Sequence, residues 1–119
     1  MKIVLLEDDG LVARALTRVL KGMGHEVLVA HRIAEAQAHV REHPDVRLVI
    51  SDLGLKDNES GIEFLRWVEA ERASVGRVLL TGLGQPVGYS NDPPRQAFLH
   101  KPFNTDRLKL LIDEMTTSA

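Results

Sequence analysis

Three acidic residues, Glu7, Asp8 and Asp9, follow the apolar run Ile3–Leu6, and a fourth, Asp52, follows Leu48–Ser51. Thr81 closes the run Val78–Leu80, and Lys101 with Pro102 comes directly after Phe98–His100. Two carboxylates about 4 Å apart repel by roughly 4 kcal/mol at an effective dielectric near 20, worth about three pKa units. Gathering Glu7, Asp8 and Asp52 is therefore tolerable only with a cation or a bound proton. No His or Cys adjoins Glu7, Asp8 or Asp52, and an all-oxygen donor set suits a hard divalent ion. Mg²⁺ in particular takes one or two carboxylates, several waters and a phosphate oxygen. A carboxylate beside Mg²⁺ can attack phosphorus to give an aspartyl phosphate. The Thr81 hydroxyl can then donate to the phosphoryl group, and Lys101 can neutralise it.

These residues act together only if the fold brings them to one place, and the apolar pattern provides the means. Short runs rich in Ile, Val and Leu, at Lys2–Leu6, Glu26–Ala30, Arg47–Ser51, Arg77–Thr81 and Gln96–His100, predict five strands. The first, third and fourth are nearly continuous, as in strands buried on both faces. Between them the spacing turns helical. Val12, Ala15, Leu16, Val19 and Leu20 share a face, and Gly22 and Gly24 end that helix. Ile33–Glu42 is Ala-rich and stopped by Pro44, and Gly61–Arg72 carries Ile62, Leu65 and Val68 on one stripe with Ser60 as N-cap. Leu108, Leu111, Ile112 and Met115 mark a last helix capped by Asn104 or Thr105. Strands alternating with helices predict parallel pairing and an open α/β sheet covered on both faces. Ligands of such sheets bind beyond the carboxyl ends of the strands, where the acids, Thr81 and Lys101 stand. The second strand contributes nothing chemically obvious there.

Composition removes other classes. The length of 119 residues predicts one domain, residues 1–119, and the absence of cysteine excludes a disulfide framework, thiolate metal sites and thiol catalysis. No stretch approaches the roughly 18 apolar residues of a membrane span, and carboxylates cut short the apolar run at the N-terminus, so a cytoplasmic location is expected. Fifteen basic against seventeen acidic residues, with aromatics at 4%, argue against direct binding of nucleic acid.

The stretches IVLLEDD (Ile3–Asp9), LVISDLGL (Leu48–Leu55), VLLT (Val78–Thr81) and FLHKPF (Phe98–Phe103) occur in an order and spacing that resemble the response-regulator receiver domains of bacterial two-component signalling. The resemblance covers essentially the whole chain. It implies a flavodoxin-like (βα)5 fold with strand order 2-1-3-4-5. It also implies Asp52 as phosphoacceptor, Asp8 as direct Mg²⁺ ligand, Glu7 acting through water, and the Gly54 backbone carbonyl as a further ligand. By the same likeness Thr81 and Phe98 are switch residues, Lys101 is the phosphoryl-binding lysine, and the Lys101–Pro102 peptide is cis. The expected function is a phosphorylation-controlled signal carrier rather than an enzyme. Its donor would be a histidine kinase or histidine phosphotransfer protein, and its output an unidentified downstream protein. A pseudoreceiver that docks partners without phosphorylation is the alternative. A Mg²⁺-dependent aspartyl phosphatase would need a second Asp two positions after the nucleophile, where Gly54 stands.

Each residue also has a plainer reading. Asp9 precedes the helical run and fits an N-cap better than a ligand. Thr81 and Phe98 are ordinary strand residues, His39 and His43 form an i, i+4 pair without a third ligand, and His31 has no metal-ligand spacing. Two departures from the family pattern stand out. Lys56 occupies a position where proline is usual. Residues 83–95 hold five Gly or Pro (Gly84, Pro86, Gly88, Pro93, Pro94) where the family has its fourth helix, so that helix is expected to be short, irregular or missing.

Overall fold

Side chains two apart in a strand share a face, so a strand without polar alternation must be covered twice. The structure, a computed structural model describing residues 1–55, 59–82 and 95–117, meets that requirement with helices on both sides of one parallel sheet. The elements run β1 (Lys2–Leu6), α1 (Gly10–Gly22), β2 (Glu26–Ala30), α2 (Ile33–Glu42), β3 (Val46–Asp52), α3 (Gly61–Glu71), β4 (Gly76–Thr81), β5 (Gln96–His100) and α4 (Thr105–Thr117). The strand order is β2-β1-β3-β4-β5, as expected.

Alternation along the strands divides the interior in two. Ile3, Leu5, Leu48, Ile50, Leu80 and Leu99 pack with Leu16 and Leu20 of α1 and with Leu108, Ile112 and Met115 of α4. Val4, Leu6, Val49 and Leu79 pack with Ala36 and Val40 of α2 and with Phe64, Leu65 and Val68 of α3. β3 begins one residue earlier than its apolar run and extends into Asp52, and β4 takes in Gly76. Backbone pairing ignores side-chain polarity: Val46 pairs with Lys2, Gly76 with Leu48, and Asp52 with Leu80. Between the Lys2–Val46 and Ile3–Leu48 rungs the register shifts by one, and the extra residue, Arg47, is exposed.

The helix ends follow local chemistry. Asp9 caps α1, its Oδ1 accepting the Leu11 and Val12 N–H groups at 2.9 and 3.2 Å. The helix closes in a Schellman arrangement, with His25 N–H donating to Leu20 O, Gly24 N–H to Lys21 O, and Gly24 at φ 91°. Ser60 caps α3, and Asn104 is the cap of α4, its Oδ1 accepting from Arg107 N–H at 2.8 Å. Arg72, the residue that ends α3, donates to four carbonyls, those of Val40, His43, Pro44 and Val46, at 3.1, 3.2, 2.7 and 2.9 Å. It thereby stitches the α2–β3 connection to the end of α3. The connection expected to be irregular lies outside the described residues except for Arg95, as does the Lys56 departure.

Candidate functional site

The β1–β3 rung Leu6–Ser51 places the next residues of each strand, Glu7 and Asp52, side by side at the carboxyl edge. By alternation Glu7, Asp52 and Lys101 lie two residues beyond Leu5, Ile50 and Leu99, all of which face α1 and α4. Their side chains meet accordingly. Lys101 Nζ lies 2.7 Å from Asp52 Oδ1 and 4.0 Å from Glu7 Oε1. One carboxylate oxygen from each of Glu7, Asp8 and Asp52 lies within 4.8 Å of the others. The three acids read from separate parts of the sequence thus share one pocket, with Lys101 beside them.

Glu7 is 1% exposed, whereas the Asp52 side chain is 14% exposed and reachable from solvent. Burial pushes the Glu7 carboxyl up to about 7, with further upward contributions from Asp52 and Asp8; Lys101 and the Asp9 N–H act in the opposite direction. This group is costly to ionise without a cation, and the all-oxygen trio fits a hard divalent ion such as Mg²⁺. Asp9 contributes its backbone N–H to Glu7 Oε2 at 3.5 Å and its carboxylate to the cap of α1, so it stands outside the acidic trio.

The remaining expected residues surround this pocket. Gly54 lies on the loop leaving β3 and forms an isolated bridge with Ser60, where the chain turns back into α3. Thr81 is fully buried at the end of β4, and its carbonyl accepts the Lys101 N–H at 2.7 Å. Phe98 is half-buried on β5 opposite Leu79, and alternation puts Thr81 on the same face of the sheet. The Lys101–Pro102 peptide is cis. A second backbone tie, Leu53 N–H to Leu80 O at 2.9 Å, joins the loop after Asp52 to β4.

Sequence reasoning passed over two contributors. Gly61 opens α3 against the backbone of Asp52: a Cβ there would fall far inside contact distance of the Asp52 carbonyl oxygen and 2.5 Å from Ser51 Oγ. His31, at the end of the strand credited with no chemistry, places Nδ1 2.9 Å from the Glu7 carbonyl oxygen. Both depend on contacts across the fold that no local spacing announces.

A parallel 2-1-3-4-5 sheet carrying an acidic trio and a lysine at its carboxyl edge places the molecule among the flavodoxin-like folds. The chain matches the response regulator receiver domain family over residues 3–113 and belongs to it. It is 34% identical over 82 residues to the virulence transcriptional regulatory protein PhoP of Salmonella typhimurium, a match covering 68% of this chain and 35% of that protein. The chain thus matches about a third of the length of that relative. A response regulator receiver domain protein from Clostridium thermocellum superposes with a TM-score of 0.83 at 22% identity, covering 98% and 94% of the two chains. The anti-anti-sigma factor PhyR of Bartonella quintana gives 0.80 at 26% identity, covering 96% of this chain and 46% of that one. Membership of this family makes the chain a receiver of two-component signalling. No helix among the described residues is long and apolar enough to cross a membrane.

Proposed function

We propose that this receiver accepts a phosphoryl group on Asp52 from a phosphohistidine donor, either a histidine kinase or a histidine phosphotransfer protein. The observation that carries the reading is the pairing of Lys101 with Asp52 at 2.7 Å inside a pocket that also gathers Glu7 and Asp8. In the transfer, an Asp52 carboxylate oxygen forms a bond to phosphorus as the P–N bond of the donor breaks, and the released imidazole nitrogen takes up a proton. Glu7, Asp8, Asp52 and the Gly54 carbonyl would hold Mg²⁺, which when bound supplies positive charge to offset the phosphoryl oxygens.

This chain's own residues do the rest. Lys101 orients Asp52 before transfer and pairs with the phosphoryl group afterwards. Glu7, buried and reluctant to ionise, holds a proton until a cation in the pocket displaces it. Thr81 donates its hydroxyl to the new anion, and Phe98, on the same face, moves inward as Thr81 shifts. The added charge, up to about two negative units near pH 7, drives that movement. The protein acts as a cytoplasmic signal carrier rather than an enzyme, reporting to a downstream protein. Gly54 lacks the carboxyl that a hydrolase would use as acid/base.

The test is incubation with acetyl phosphate and Mg²⁺ followed by intact mass measurement. A single phosphoryl adduct on wild type, absent in Asp52→Asn, is the expected outcome. An unlabelled wild-type protein would instead support a docking module that works without phosphorylation.

A further inference from the structure

Asp8 is out of phase with the residues it joins. It lies two positions beyond Leu6, which belongs to the core under α2 and α3, whereas Glu7, Asp52 and Lys101 follow residues of the opposite core. Neighbouring side chains of an extended strand point to opposite faces. Glu7 and Asp8 can bring oxygens within 4.8 Å of Asp52 and of each other only if the peptide between them is held turned.

The end of β2 provides that hold. Glu7 N–H donates to the Ala30 carbonyl at 2.9 Å, and the Glu7 carbonyl accepts from His31 Nδ1 at 2.9 Å. A carbonyl can only accept, so Nδ1 carries the proton. Both edges of Glu7 are thus pinned, and the carbonyl that His31 grips belongs to the peptide joining the two acids. The next residues hold the other arm of the pocket. Glu59, two residues before α3, accepts the Ile33 N–H through Oε1 at 3.1 Å and lies 3.8 Å from Arg32 Nη2 through Oε2. It serves as the cap that Arg32, the N-cap residue of α2, does not provide with its own side chain.

We propose that His31 is a positioning residue for the acidic pocket. Its Nδ1–H on the Glu7 carbonyl sets the peptide that lets two adjacent carboxylates reach one cation, while Glu59 ties the opposite arm to the same turn. The proposal rests on the reading that Glu7, Asp8 and Asp52 hold Mg²⁺. It adds a residue from the one strand whose end carries no acid, hydroxyl or ammonium of its own.

The test is calorimetric titration of the full chain with MgCl₂, comparing wild type, His31→Asn and His31→Leu. Asn and Leu share their branching, but only Asn can donate. His31→Leu is expected to weaken Mg²⁺ binding about fivefold or more, while His31→Asn stays within about twofold of wild type. Thermal unfolding in EDTA, recorded alongside, separates loss of fold from loss of positioning, with affinities measured well below either transition. A second pair provides the same contrast if either His31 variant folds poorly: Glu59→Gln keeps an acceptor for Ile33 N–H and binds near wild type, whereas Glu59→Leu does not. Wild-type affinity in His31→Leu, or equal weakening in His31→Asn and His31→Leu, overturns the positioning role alone. A wild-type protein that takes up no Mg²⁺ overturns the metal reading, and the positioning role with it.

Discussion

Replacing Gly61 by Ala adds one methyl group at the first residue of α3, and the surroundings of that methyl decide its effect. The new Cβ would overlap the Asp52 carbonyl oxygen and lie 2.5 Å from Ser51 Oγ and 2.9 Å from the Asp52 carbonyl carbon. These are not flexible tips. Ser51 is fully buried with its hydroxyl donating to Asp52 O at 3.1 Å, and the Gly61 N–H donates to Leu53 O at 3.0 Å. Relief therefore requires movement of the β3 end or of α3, on the order of an ångström. Overpacking of this kind costs about 1–3 kcal/mol. At roughly 4 °C per kcal/mol for a domain of this size, the unfolding temperature should fall by about 4–12 °C. The displaced backbone is that of Asp52, the proposed phosphoacceptor, and a misplacement near 1 Å at a reacting centre can cost about a hundredfold in rate. Labelling by acetyl phosphate, followed by intact mass at a temperature where the variant is folded, should slow by more than tenfold. Gly10→Ala is the control, since a Cβ there meets nothing within 4 Å. If Gly61→Ala unfolds within about 1 °C of wild type and labels at the wild-type rate, the close approach of α3 to Asp52 has no part in shaping the site.

The Glu7 carboxyl near 7 makes Mg²⁺ binding compete with a proton, so the apparent affinity should fall about tenfold between pH 8 and pH 6, as followed by calorimetry, and Glu7→Gln should flatten that profile. In EDTA the sign of the stability change is opposite to that of an ordinary salt-bridged acid. The folded protein holds the Glu7 proton more tightly than the unfolded chain, so Glu7's contribution to stability is present below pH 4.5 and lost as pH rises to about 7, by up to about 3 kcal/mol, measurable by urea unfolding. Lys101→Met removes the cation 2.7 Å from Asp52 and should tighten Mg²⁺ binding severalfold while slowing phosphoryl acceptance, two readouts that a general loss of fold would move in the same direction. Arg72→Ala leaves four carbonyls without their shared donor and should cost about 3 kcal/mol by urea unfolding, with labelling of Asp52 at low temperature unchanged.

The parts of the fold that were legible in the sequence were those written in local pattern. β1, β2 and β5 have the limits the apolar runs predict, because polar residues bound each run: Glu7 after β1, His25 and His31 around β2, Arg95 and Lys101 around β5. Asp9 is a cap because a short carboxylate directly before a helical run reaches the N–H groups of the first turn. The acidic trio was also legible, since parallel strands of an open sheet end on a common edge. His31, Gly61 and Glu59 were not. Their partners lie 24, 9 and 26 residues away for the Glu7, Asp52 and Ile33 contacts, respectively, and each contact engages a backbone group, which leaves no complementary side chain in the sequence to notice. Arg72 likewise reads as an ordinary charged residue at a helix end until the four carbonyls around it are seen.

Arg72 also gives the molecule two unlike poles. At the amino end of the sheet, one guanidinium binds four carbonyls and fastens the segment between α2 and β3, so amides there should exchange slowly. At the carboxyl end, contacts converge on the charged side chains of Glu7, Asp52 and Lys101. Under the proposed transfer, a change at Asp52 would meet an anchored base at the opposite end of the strands.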